Sequence, residues 1–204
     1  MTLLIITAVE PEAEALRQAA PRTFTVAAVG AGPAAAAAGT ARLLATGKYE
    51  AVISAGIAGA FKGRADIADI VLATRSIAAD LGAESPTGFL PIDTLGFGTT
   101  TLHADPALLE TLQTALPAAK SGDILTLATV TGTAETAARL ATTHPDAVAE
   151  AMEGHGVATA ANTAGVPFAE LRAISNLIGP RDRESWRLRE AFAALSKAAA
   201  ALPW

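Results

Sequence analysis

Most of the groups that could do chemistry in this chain fall in one stretch, residues 150–182, EAMEGHGVATAANTAGVPFAELRAISNLIGPRD. Met152-Glu153 opens an Ala/Gly-rich segment with helical character over residues 157–164. Gly165-Val166-Pro167 reads as a turn, and FAELRAIS as a strand running into Asn176. Glu153 and Asn176 therefore stand at element ends joined by one helix and one strand, which is where α/β proteins place their chemistry. A carboxylate accepts protons and hydrogen bonds, and an amide both donates and accepts. The chemistry on offer is acid–base and hydrogen-bonding. The chain has no cysteine, which excludes disulfides, Cys-ligated zinc and a thiol nucleophile. His103, His144 and His155 form no HxH or HExxH pair, so a metal site is not expected.

Two other stretches carry candidate groups. Glu10, Glu12 and Glu14 follow the apolar run at residues 3–8, with Pro11 in the first turn of a helix. Read alone, they are acids favoured by the positive end of that helix. Glu153 read alone could equally be a helix-capping acid. Gly30-x-Gly32-x-x-Ala35 entering a helix has the look of a dinucleotide fingerprint. That reading requires an acid at the end of the next strand. The next strand pattern, residues 51–56, ends in Ala-Gly, and the nearby Glu50 precedes it. A tight turn with close helix packing is the better account.

Together, AMEGHGVATAA and VPFAELRAISN resemble the nucleoside phosphorylase and nucleosidase superfamily, and the similarity extends over nearly the whole chain. The Asn of RAISN, the GPRD turn and the ADLGAES segment suit its futalosine hydrolase branch better than its methylthioadenosine/S-adenosylhomocysteine nucleosidases. The resemblance implies roles. Met152 would pack on a ribose and Glu153 would accept both hydroxyls of its 2′,3′-diol. Glu12, four residues after Ala8, would orient and deprotonate water. Gly56 belongs to SAGIAG, residues 54–59, which matches the superfamily's glycine-rich turn after the third strand. Thr129, Val130 and Thr131 would receive the purine, and Asn176 would hydrogen-bond it as it leaves. The candidate proton sources are a protonated water and Asp182 in the GPRD turn. Arg181 is a candidate partner for the carboxylate on the 5′ side of futalosine, with a surface ion pair to Asp182 or Glu184 as the alternative.

The implied reaction is hydrolysis of the N-glycosidic bond of futalosine, releasing hypoxanthine, in menaquinone biosynthesis. The alternatives are another purine nucleosidase, a purine nucleoside phosphorylase, or a non-catalytic nucleoside-binding protein. Residues 56–60 hold no arginine for phosphate, and Lys62 and Arg64 read as a solvated turn. The missing arginines and Glu12 both favour water as nucleophile. No cofactor is called for. The partner is a small purine nucleoside, and the resemblance implies a homo-oligomer, dimer or tetramer.

The elements that must position these groups follow from length and pattern. At 204 residues, 51% apolar and 4% aromatic, the chain is long enough for a single domain whose packing relies on small side chains. Its net charge of −5 and lack of a basic stripe argue against nucleic acid and anionic membrane as partners. The N-terminal LLIITAV is too short to span a bilayer and reads as a strand, which leaves a cytoplasmic address as the default. Strand patterns occupy residues 3–8, 23–29, 51–56, 69–77, 123–131 and 168–176. Helical patterns occupy 105–116, 134–142 and 183–200, the last with Trp186 and Phe192 facing the sheet or a partner subunit. Residues 79–98 read as an irregular substrate-facing or subunit-facing loop, with Phe89 and Phe97 as possible plugs of a core rim. The alternation gives an α/β class with one central sheet, and the resemblance adds that the sheet is mixed, flanked by helices, in a nucleoside phosphorylase-like fold.

Overall fold

A computed structural model of the chain describes residues 2–21 and 23–204. The first strand, β1 (Leu3–Thr7), is buried along its whole length. Leu3 and Ile5 enter one core and Leu4 and Ile6 another, as expected of a strand covered on both faces. Helix α1 (Glu10–Arg17) follows at once, then β2 (Thr25–Ala28), α2 (Pro33–Thr46) and the long β3 (Ala51–Ala60). Next come β4 (Ile70–Ala78), the hairpin β5 (Gly82–Ser85) and β6 (Gly88–Pro91), the single turn α3 (Ile92–Leu95), β7 (Thr101–His103) and α4 (Pro106–Ala115). The chain ends with β8 (Lys120–Thr126), α5 (Ala134–Thr143), β9 (Ala147–Ala151), α6 (Gly154–Ala164), β10 (Phe168–Leu177), a 3₁₀ turn (Arg183–Ser185) and α7 (Leu188–Ala201).

The fold is mixed α/β. β3 is its hub. It pairs in parallel with β1 along its first half and with β10 along nearly its whole length, then meets β9 antiparallel at Gly59 and Ala60. β10 pairs with β4, β4 with β8, and β8 with β9. The strands β3, β10, β4, β8 and β9 thus close a ring, with β1 and β2 extending from β3 and β7 lying on β4. A ring of five strands has room only for small or slender side chains. Ala58, Ala60, Val71, Ala73, Ile124, Ala149, Ala151 and Ile174 form one buried cluster drawn from all five. The low aromatic content of the sequence finds its use here.

One face of the sheet packs on α1, α4 and α7 through Leu16, Leu108, Leu112 and Leu195. The other packs on α2 and α6 through Ala36, Val157, Ala158 and Ala161. Those two helices approach so closely that a Cβ on Gly156 would stand 2.2 Å from the Pro33 carbonyl oxygen. Among the described residues, no helix is long and apolar enough to cross a membrane.

Several sequence expectations need correction. SAGIAG is not a turn: it continues β3 to Ala60, because β10 on one side and β9 on the other bond it as a strand. β8 ends at Thr126, five residues before the expected end. Beyond it the Ala128 N–H turns to the Asp80 carboxylate and the Thr131 N–H to Glu150. Residues 79–98 hold the β5–β6 hairpin, and Phe89 and Phe97 plug no core rim, being 45% and 81% exposed. Arg64 is not solvated: its guanidinium donates to the carbonyls of Ala141, His144 and Ala147. The last helix begins at Leu188, since the Arg187 N–H caps the Ser175 carbonyl and holds the preceding turn against β10.

Candidate active site

Gly56 on β3 marks a buried polar cluster. Its cross-strand partner is Arg172 on β10. A Cβ on Gly56 would stand 2.5 Å from Glu12 Oε1 and 2.9 Å from Arg172 Nη1. Only a bare backbone lets these two side chains cross here. Glu12 is 3% exposed and takes three backbone donors: Ile57 N–H at 2.9 Å, Ala8 N–H at 3.0 Å and Val9 N–H at 3.2 Å. It is therefore both the first-turn acid of α1 and a group aimed at the middle of β3. Glu10 and Glu14 remain exposed.

Glu153 occupies the N-cap position of α6, yet its side chain makes no cap bond. Its Oε1 accepts from the Gly32 N–H at 3.1 Å, and its Oε2 lies 3.3 Å from Arg172 Nη1. The glycine turn before α2, with Gly32 at φ 89°, turns a backbone N–H to Glu153. Met152 is half-buried beside it.

Arg172 is fully buried. Its Nε donates to Glu170 at 2.9 Å, its Nη1 to Glu153 at 3.3 Å and its Nη2 to the Ser54 hydroxyl at 3.0 Å. Glu170 accepts in addition from Ser76 Oγ and lies against Gly154, where a Cβ would stand 2.2 Å from Oε2. Burial works against the guanidinium's charge, and Glu170, Glu153 and Glu12 outweigh it, so Arg172 stays protonated. Burial pushes the Glu12 carboxyl above the usual carboxylate range, against the pull of the Ile57 N–H, Arg172 and the Val9 N–H. Glu170 is raised by the same cause.

A second polar group forms three residues further along β3, at Gly59, about 10 Å away at the rise of a strand. Gly59 is flanked by Asn176 on β10 and Glu150 on β9. The register of β10 slips between Ile174 and Asn176. Without that bulge Asn176 would share a face with Ile174, inside the ring; bulges commonly re-aim a side chain beside an active site. Asn176 Oδ1 accepts from Ser175 Oγ at 2.8 Å, and its Nδ2 donates to the Leu177 carbonyl at 3.1 Å. Asn176, Glu150, Val130, Thr131, Arg181 and Trp186 line a small pocket of about 80 Å³. Thr129, Val130 and Thr131 also border an open groove of about 1010 Å³ that runs to Phe89 on the hairpin.

The structure thus brings Glu12, Gly56 and Glu153 into one cluster, and Val130, Asn176 and Arg181 into one pocket, with Thr129 on the adjoining groove. Arg181 rests over the Trp186 ring, 5.3 Å from its centroid. Trp186 itself faces this pocket and not the sheet core. Asp182 caps the 3₁₀ turn by accepting from the Glu184 N–H at 3.1 Å, and it does not line the pocket. Sequence reasoning assigned nothing to Arg172, Glu170 or Glu150. The signal for the first two was an ionic pair two residues apart inside an otherwise apolar strand, where both side chains must share a face. The local sequence around Gly56 holds no arginine, and the β3–β10 register supplies one from over a hundred residues away.

The chain and its fold have known relatives. The chain belongs to the phosphorylase superfamily, whose family model matches residues 18–202. It is 47% identical to the futalosine hydrolase of Streptomyces coelicolor, over 97% of this chain and 93% of that protein. It is 35% identical to the futalosine hydrolase of Thermus thermophilus, over 83% of this chain and 76% of that protein. These relatives put it in the futalosine hydrolase family. Among solved structures, a 5′-methylthioadenosine/S-adenosylhomocysteine nucleosidase from Colwellia psychrerythraea matches with a TM-score of 0.85 at 23% identity, over 99% of this chain and 94% of that one. The futalosine hydrolase of Helicobacter pylori matches with a TM-score of 0.85 at 18% identity, over 98% and 96%. At those identities the structures speak for the fold.

Proposed function

We propose that the chain hydrolyses the N-glycosidic bond of futalosine, with water as nucleophile, and releases hypoxanthine. The observation that carries this reading is the cluster at Gly56, in a chain 47% identical to a futalosine hydrolase. Glu12, with a raised pKa and a fixed orientation, is suited to take a proton from water. Glu153 is suited to accept the hydroxyls of a ribose diol and to stabilise the positive charge that grows on the sugar as the bond breaks. Asn176, at the far end of the site, would hydrogen-bond the departing base, while Met152 packs on the sugar.

The same cluster argues for water over phosphate. Arg172 is the cation beside Gly56, but three of its five N–H groups are engaged and three carboxylates surround it. A phosphate dianion brought there would meet the negative charge of those three carboxylates at close range. Incubation with futalosine, inosine and methylthioadenosine in phosphate-free buffer tests the reading. Hypoxanthine is expected from futalosine. Base release that requires phosphate would make the protein a phosphorylase, and saturable binding without product would make it a binding protein.

A further inference from the structure

Glu150 has no part in the chemistry above, yet it is 4% exposed and lines the same small pocket as Asn176. Its two oxygens are held by one residue: Oε1 accepts from the Thr131 N–H at 2.8 Å and Oε2 from the Thr131 hydroxyl at 2.6 Å. Both donors are neutral. Burial pushes its carboxyl up, and the two Thr131 bonds pull it down without cancelling the effect. A carboxyl kept in such a place is costly unless a further donor meets it, and each oxygen retains a lone pair for one.

The sheet register says where that donor would be. Glu150 and Asn176 are both direct partners of Gly59, one on each side. Directly opposed residues on neighbouring strands share a face, and strands lie about 4.8 Å apart, so the two backbones stand roughly 10 Å from each other. Between them Gly59 has no side chain. A Cβ there would stand 3.1 Å from Asn176 Nδ2 and 2.6 Å from Ile178 Cγ2. The result is a slot with an amide on one wall, a carboxyl on the other and the Ile178 side chain over the floor at Gly59.

We propose that Glu150 is a specificity residue that reads position 1 of the purine: its carboxylate accepts the N1–H of a 6-oxopurine while Asn176 donates to the O6/N7 edge. This rests on the nucleosidase reading above and deepens it. A 6-oxopurine carries a proton on N1, whereas a 6-aminopurine presents a lone pair there. Against adenine, Glu150 would set acceptor against acceptor and leave a buried carboxylate unmet. The Asn176 amide can donate to O6 or, turned over, accept from a 6-amino group, so the choice of base class rests on Glu150.

The test is calorimetric binding of free hypoxanthine, adenine and 1-methylhypoxanthine to the whole protein, which needs no turnover. Wild type should bind hypoxanthine about ten- to a hundredfold more tightly than either of the others, the range of one hydrogen bond to a charged group. Glu150→Gln should bring hypoxanthine and adenine to within a few-fold, because an amide can accept from N1–H or donate to N1. Equal binding of hypoxanthine and 1-methylhypoxanthine by wild type would overturn the proposal without need of any variant. So would a Glu150→Gln protein that weakens all three bases alike, which is what a purely structural role in holding Thr131 would give. Failure of the futalosine assignment shows separately, as an absence of hypoxanthine release in the turnover assay while the base preference persists.

Discussion

The Gly56 and Gly59 ends of the site are built in opposite ways. At Gly56 the charged groups are tied to one another and across strands: Glu12 to Ile57 as well as to Ala8 and Val9, Glu153 to Gly32 and Arg172, Arg172 to Glu170 and Ser54. At Gly59 the polar groups are tied to near neighbours, Asn176 to Ser175 and Leu177, or to one loop residue, Glu150 to Thr131. The first arrangement is fixed by the packing of strands and cannot rearrange without moving β3 or β10. The second exchanges partners by rotating a side chain. This division suits glycosidic chemistry. Charge develops on the sugar, where preorganised electrostatics matter most. Identity lies in the base, which is recognised by hydrogen bonds that the free protein must hold in reserve.

Breaking the Gly56 end should have the largest effect. Arg172→Met leaves its carboxylate partners without their cation. Loss of one partner of a buried ionic group costs about 3–5 kcal/mol, so the urea midpoint should fall sharply and turnover should vanish. A midpoint close to wild type would mean that this cation does not hold the cluster together. Glu12→Gln is milder on the fold and severe on the reaction. Turnover should drop about 10² or more while the substrate KM changes little; undiminished turnover would remove Glu12 from the mechanism. Because burial raises the Glu12 pKa, the acid limb of kcat/KM against pH should lie above the ordinary value of 4.5, and a limb at or below it would contradict the base assignment.

Glu153→Gln should lower kcat and affinity together, since its grip on the diol tightens as the sugar becomes cationic. A 2′,3′-dideoxy substrate should lose most of its rate in wild type, and equal rates would leave Glu153 structural. At the Gly59 end the effects are smaller and selective. Asn176→Asp should lower kcat/KM on 6-oxopurine nucleosides by about tenfold or more, because two acceptors then face O6. A proportional loss on 6-amino substrates would remove it from base recognition.

The smallest effect is on stability. The folded-state pKa of Glu150 is raised above 4.5 by burial, so its contribution is full below the unfolded-state value and is lost as pH rises through the folded pKa. Glu150→Gln should flatten that decline, and its advantage over wild type in urea should grow with pH. Parallel pH–stability curves for the two proteins would show that Glu150 titrates alike in both states.

The local patterns that name elements were legible because they depend on neighbours in sequence. The apolar run of β1, Pro11 at the start of α1 and Asp105 at the cap of α4 each act within a few residues. Glu12, Glu153 and Asn176 were legible as groups at element ends, and their resemblance to a known family supplied roles to propose for them. The tertiary structure decided which of these groups meet. The closed ring turned SAGIAG from a turn into the middle of β3. The β3–β10 register set Arg172 beside Gly56, where the local sequence holds no arginine. The slip at Ser175 moved Asn176 off the face of Ile174, and the β3–β9 pairing put Glu150 opposite it. Each of these is a matter of strand partnership over tens to hundreds of residues, fixed by which apolar faces pack best together and invisible to periodicity within any one strand.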